Sequence, residues 1–172
     1  MPHKLLANKV NSFSQLHFCR LQHRCIYYFF LHVPFLSKHQ TNHSIQDYEK
    51  YLKKYGLPDE LKYLSLIESG LENKAKSNKG AGGLWQFMPY KARGGFGLRV
   101  DQYIDERFDA ERATDAACRY LKQLYTIFGD WHLALAAYNW GEGSVGRAIA
   151  KNKAAGLGVS YTDLKMPNET RY

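Results

Sequence analysis

The first 46 residues contain no Asp or Glu, and nowhere in the 172-residue chain is there a long hydrophobic run. The most apolar stretch, Ile26 to Leu36, is 11 residues long and contains His32 and Pro34. A bilayer-spanning helix needs ~20 predominantly apolar residues, so an ordinary membrane span is excluded there. Residues 1–25 are broken by polar and charged groups, and no secretory leader is readable in them. Leu16-His17-Phe18-Cys19 lacks the small residues that a lipid-attachment site requires. Cysteine is scarce: Cys19, Cys25 and Cys118 cannot all pair within one chain, and no metal-ligand spacing surrounds them. Cys118 falls in an Ala-rich helical pattern and reads as a small core residue. Cys19 and Cys25 can bridge only in an oxidising compartment. Gly/Ser linkers, internal repeats, low-complexity runs and alternating strand patterns are also missing. These absences point to an all-α single domain, and 172 residues are enough to bury a core.

What is present is unevenly distributed. The formal charge is +8, and residues 1–44 form a basic, acid-free segment distinct from the domain expected over 45–172. Six of the seven histidines lie before residue 47, and from Asp47 onward the signs are mixed. Such basicity attracts polyanions, but no nucleic-acid-binding motif accompanies it, so nucleic acid is not an expected partner.

Periodicity predicts a helix over Ile45–Tyr55 ending at Gly56, with Tyr48, Tyr51, Leu52 and Tyr55 on one face. Pro58, Asp59 and Glu60 suit the start of a second helix, which runs to Gly70. A short helix is expected around Trp85–Arg93, followed by a Gly94–Gly97 turn. Asp109 suits the N-cap of a long helix to Phe128, with Ala113, Ala117, Tyr120, Leu121, Leu124 and Phe128 inward. Gly129 ends that helix, Asp130 starts one over Trp131–Asn139, and Ser144–Asn152 makes another.

The second helix carries the chemistry. Leu61, Leu64 and Glu68 share a helical face, which puts a carboxylate at the inner end of an apolar stripe, where charge is expensive. A polar loop, Asn73 to Lys79, and the glycines Gly80, Gly82 and Gly83 follow. Then comes Leu84-Trp85-Gln86-Phe87-Met88-Pro89, large apolar groups with one amide among them. A lone Glu near a helix end is ordinarily solvated or ion-paired, and Trp and Phe are ordinarily core. If Glu68 is instead packed among apolar groups, desolvation raises its pKa from ~4.3 towards the ~6–7 that suits a general acid.

Three blocks in order, Glu68-Ser69-Gly70, Gly83 to Pro89, and Ala136-Ala137-Tyr138-Asn139 with Gly141-Glu142-Gly143, resemble the lytic transglycosylase SLT domain. Within that family the likeness is to the membrane-bound lytic murein transglycosylase D branch, over roughly Asp47 to the end. The resemblance implies a lysozyme-like helical fold with a catalytic cleft that cleaves peptidoglycan glycan strands, needing no cofactor and no metal. It further implies a monomer in the periplasm or cell envelope, possible membrane association included. Family members carry an aromatic-rich helix ahead of the domain, and Cys25 to Leu36 fits its remnant. The expectation is therefore a fragment whose native start lies upstream.

Glycosidases normally use two carboxylates, yet only Glu68 has an acid's apolar setting. The resemblance accounts for this: one Glu protonates the glycosidic oxygen and then removes the C6 hydroxyl proton, closing a 1,6-anhydromuramic acid ring without water. It also assigns substrate contacts. Ser77 matches a serine that touches N-acetylmuramic acid, though the residue alone reads equally as a turn hydroxyl. Gln86 matches a sugar-binding glutamine, Met88 a groove residue that is as readily core, and Tyr138 and Asn139 a pair that orients the Glu and the N-acetyl group. Two departures stand out. Trp140 occupies a position usually small, and the motif around Pro167 to Arg171 stops one residue short of the family's tyrosine, so that Tyr172 does not match it. The alternatives are a lysozyme-like hydrolase and a non-catalytic glycan-binding module.

Overall fold

The computed structural model describes residues 48–171, and it is all-α in class: no strand forms among them. The N-terminal segment, the Cys25–Leu36 remnant, the Cys19/Cys25 pairing, the first turn of the Ile45–Tyr55 helix and Tyr172 lie outside the described residues. None of the described helices is long and apolar enough to cross a membrane. The chain divides into two compact units, one up to Thr114 and one from Asp115.

In the first unit, helix α1 covers 48–55, with Tyr48 and Leu52 buried and Tyr51 and Tyr55 partly exposed. The single helix expected from Pro58 to Gly70 is two pieces: a 3-10 helix, Asp59–Tyr63, and α2, Leu64–Ser69. The tighter winding eclipses residues three apart, and it sets Asp59 beside Lys62 at 2.6 Å. Gly70, at φ 63°, closes α2 by donating its N–H to the Leu66 carbonyl.

The helix expected around Trp85–Arg93 instead begins at Pro89, as α3, Pro89–Gly95. Two local effects explain the correction. Proline is pre-shaped for a first helical turn, and its ring pushes the preceding residue to extended backbone; Met88 has φ −70° and ψ 141°. Upstream, Gly82 and Phe87 exchange backbone hydrogen bonds of 3.0 and 3.1 Å across a tight turn. Trp85 is buried at the base of that turn, its indole N–H donating to Thr114 Oγ1 at 3.0 Å. The Tyr48 ring meets it edge-on at 5.7 Å.

Helix α4, Ala110–Phe128, begins in the first unit and continues into the second. Asp109 caps it as expected, accepting the Arg112 N–H at 3.0 Å. The inward residues Ala113, Ala117, Tyr120, Leu121 and Leu124 are buried, whereas Phe128 is partly exposed. In the second unit, Asp130 caps α5, Trp131–Trp140, through the Leu133 N–H at 2.9 Å. The last helix, α6, runs over Glu142–Ala154 and so begins and ends two residues beyond the expected Ser144–Asn152. Glu142 in its first turn and Lys151 and Lys153 in its last complement the helix dipole. Helix α6 packs on α5, as does the closing 3-10 turn, Asn168–Thr170.

Candidate active site

Glu68 occupies the last turn of α2, one residue before Ser69 ends it. The same short segment buries Leu61, Leu64 and Leu66, but Leu61 belongs to the 3-10 turn and not to α2, so the single helical stripe expected to end in the Glu68 carboxylate is broken. Among the described residues no hydrogen bond or ion pair reaches the carboxylate, and desolvation alone pushes its pKa up from 4.5 to about 7. The residue as a whole keeps part of its surface open. Asp101 and Asp105 shift the opposite way. Backbone N–H groups, led by that of Tyr103, hold Asp101 at about 2, and the Arg107 guanidinium holds Asp105 below the usual carboxylate range.

Ser77 and Gln86 lie on the loop that follows. Ser77 is exposed in a turn: its backbone N–H donates to the Ala81 carbonyl at 2.9 Å, and its Oγ accepts the Ala81 N–H at 3.0 Å. The turn reading therefore describes its lone pair, and its hydroxyl proton remains a donor. Gln86 is partly exposed at φ 47°, a left-handed conformation uncommon outside glycine. Its Nε2 donates to the Gly83 carbonyl at 2.8 Å and, less closely, to that of Ala75 at 3.4 Å. The amide nitrogen thus braces the loop, and Oε1 remains as an outward acceptor. Met88, the residue before α3, is partly exposed.

Beneath this loop is a buried cation that periodicity and spacing did not single out. Arg107, 7% exposed, pairs with Asp105 through Nε at 2.9 Å and Nη2 at 2.6 Å. Its Nη1 donates to the carbonyls of Gly80 at 2.8 Å and Phe87 at 2.9 Å. The backbones approach closely as well: a Cβ on Gly83 would stand 1.9 Å from the Arg107 carbonyl oxygen. The only sequence signal for this is an Asp and an Arg two residues apart in a loop, which many surface turns share.

Tyr138 and Asn139 belong to the second unit, at the C-terminal end of α5. The Tyr138 ring lies 5.6 Å from that of Tyr120, whose hydroxyl donates to Glu142 at 2.7 Å. Asn139 is exposed, and its Oδ1 accepts the Thr170 hydroxyl at 3.0 Å. Trp140 is partly exposed beside Gly141, whose φ of 97° separates α5 from α6. Glu68, Ser77, Gln86 and Met88 thus lie in one unit, and Tyr138 and Asn139 in the other. No group of three or more His, Cys, Asp or Glu gathers as a metal site among the described residues.

Residues 47–157 match the family model of the Transglycosylase SLT domain. The chain is 40% identical over 121 residues to membrane-bound lytic murein transglycosylase D of Escherichia coli, in strain K12 and in O6:H1 strain CFT073 alike. That alignment covers 70% of this chain and 26% of those proteins. It is also 43% identical over 106 residues to a protein of Alteromonas sp. strain M-1 named for resistance to tributyltin chloride, covering 60% of this chain and 51% of that one. The chain therefore spans about a quarter of the length of its E. coli relatives and about half that of the Alteromonas protein. A family match over residues 47–157 takes in the Glu68 helix, the loop held by Arg107 and the Tyr138-Asn139 end of α5 alike, and the chain belongs to the transglycosylase SLT domain family.

Proposed function

We propose that residues 45–172 act as a peptidoglycan lytic transglycosylase, cutting the β-1,4 bond between N-acetylmuramic acid and N-acetylglucosamine. The observation that carries this reading is the Glu68 carboxyl, which has no hydrogen-bond or ion-pair partner among the described residues and is raised to about 7 by desolvation. An acid of that strength holds its proton near neutral pH and yields it readily to a leaving oxygen. Glu68 protonates the glycosidic oxygen as the bond from the muramic acid C1 breaks, and the N-acetyl carbonyl of the same sugar stabilises C1. The Glu68 carboxylate then takes the C6 hydroxyl proton as that oxygen bonds to C1. The ring closes to 1,6-anhydromuramic acid, no water is consumed and Glu68 regains its proton.

The other residues bind. The free hydroxyl proton of Ser77 and Oε1 of Gln86 offer a donor and an acceptor to sugar groups, and Met88 offers an apolar wall. In the second unit, the side chains of Tyr138 and Asn139 contact the glycan. The corresponding compartment is the cell envelope or periplasm, where the substrate lies, with the protein acting as a monomer and membrane association as in the E. coli relatives' name. Mass spectrometry of peptidoglycan digested by the purified chain tests the proposal. Anhydro ends are expected; reducing ends would mean hydrolysis, and bound but uncut strands would mean a glycan-binding module.

A further inference from the structure

The Arg107 guanidinium holds two points of the loop that carries the proposed sugar contacts. One is Gly80, three residues after Ser77, and the other is Phe87, immediately after Gln86. Four of its five N–H donors are used in this way, two on Asp105 and two on the carbonyls. A lysine has three donors on one point charge and cannot grip a carboxylate on two oxygens while reaching two carbonyls. Gly83 completes the clamp, since its missing side chain lets the loop backbone rest on the Arg107 carbonyl.

We propose that Arg107, held by Asp105, is a positioning residue: by tying Gly80 to Phe87 it keeps Gln86 and Ser77 in place to receive a glycan strand. The inference rests on the functional reading above. Neither Asp105 nor Arg107 needs to touch the sugar. Gln86 sits in a left-handed conformation at φ 47°, which costs energy and persists only where its surroundings enforce it. The surroundings that enforce it are the Gly82–Phe87 backbone pairing, the bonds from its own amide and the guanidinium under Phe87.

The test makes Arg107→Lys and Asp105→Asn, each alone and combined with Gln86→Ala, with melting curves to confirm folding. Gln86→Ala alone is expected to lower kcat/KM for glycan cleavage about tenfold, and Arg107→Lys by at least about as much. Adding Gln86→Ala to Arg107→Lys should then cost less than about twofold more, because the loop is already misplaced. Hydrogen exchange at the Gly82, Gly83 and Phe87 amides should speed up about tenfold or more, while α4 keeps its protection. Losses that multiply in the double variant, or unchanged exchange at the three amides, overturn the proposal. Asp105→Asn, which keeps the side-chain shape, carries the same comparison if Arg107→Lys does not fold. The functional reading fails separately: should the unsubstituted chain leave glycan strands uncut, the exchange measurement still decides the clamp.

Discussion

The hydroxyl of Thr170 donates a 3.0 Å hydrogen bond to Oδ1 of Asn139. Thr170 is 1% exposed, whereas Asn139 lies at the open end of α5. The buried residue therefore fixes which way the exposed amide faces: Oδ1 is engaged and the NH2 is turned outward as a donor. Thr170→Val keeps the shape and removes that bond, worth about 0.5–1.5 kcal/mol. Glycan affinity, measured in a Glu68→Gln background so that strands stay intact, is expected to fall about two- to tenfold. Unchanged affinity would show that Thr170 does not orient Asn139 for the glycan.

Glu68→Gln is expected to abolish cleavage, since general acid–base help is worth ~10²–10⁴ in rate and one residue supplies both halves. The wild-type pH profile should fall on the alkaline side through about pH 7, where Glu68 loses the proton it must donate. A variant retaining a tenth of the activity (roughly one decade, below that range), or an alkaline limb far from pH 7, would show that the acid lies elsewhere.

The same carboxyl works against stability. Its folded pKa is raised above 4.5, so the folded state binds the proton more tightly than the unfolded state does. The Glu68 contribution therefore costs the fold nothing below pH 4.5 and destabilises it increasingly as pH rises from 4.5 through about 7. Glu68→Gln, neutral throughout, should melt higher than wild type at pH 8 and alike at pH 4, by at most about 3 kcal/mol since Glu68 keeps some water. Equal melting at both pH values would contradict the desolvation of Glu68.

Trp85→Ala should cost roughly 3–5 kcal/mol, because it empties the base of the turn and strands the Thr114 hydroxyl. Gln86→Ala removes bonds worth about 1 kcal/mol and should act mainly on glycan affinity. Melting curves alongside binding isotherms separate the two; similar melting losses would erase the division between core and contact.

Gly83→Ala and Gly80→Ala differ in kind. Both positions have left-handed φ, 80° and 87°, which an alanine tolerates at a cost of about 1–2 kcal/mol. Only at Gly83 would the new methyl also meet a backbone oxygen, at 1.9 Å, while nothing lies within 4 Å at Gly80. Gly83→Ala should therefore destabilise by well over about 3 kcal/mol, and Gly80→Ala by less. Thermal denaturation of the pair checks the order.

Much of this fold is legible locally. Asp109 and Asp130 cap their helices, and Gly70 and Gly129 end them, because caps depend on residues within a turn of themselves. The setting of Glu68 is legible in part for the same reason: the buried Leu64 stands four positions before it, in the same helix. Two elements misread locally are also explained locally. Pro89 outweighs the apolar run before it as a helix start, and the turn that Pro58 opens winds as a 3-10 helix, Asp59–Tyr63, ahead of α2. Arg107 and Thr170 were out of reach. Their partners Gly80 and Asn139 stand 27 and 31 positions away, beyond any window of helical or strand periodicity.

The turn from Ser77 to Ala81 has its ends paired to each other, while Asn78 and Lys79 at its tip are exposed. A residue inserted at 78–79 would therefore extend into solvent and leave the paired ends of the turn in place. Between Gly80 and Phe87 an insertion is not accommodated in this way. Removing or adding one residue there would slide Gly83 off the Arg107 carbonyl and carry Gln86 with it, so the two carbonyls on Arg107 fix the eight-residue count from 80 to 87.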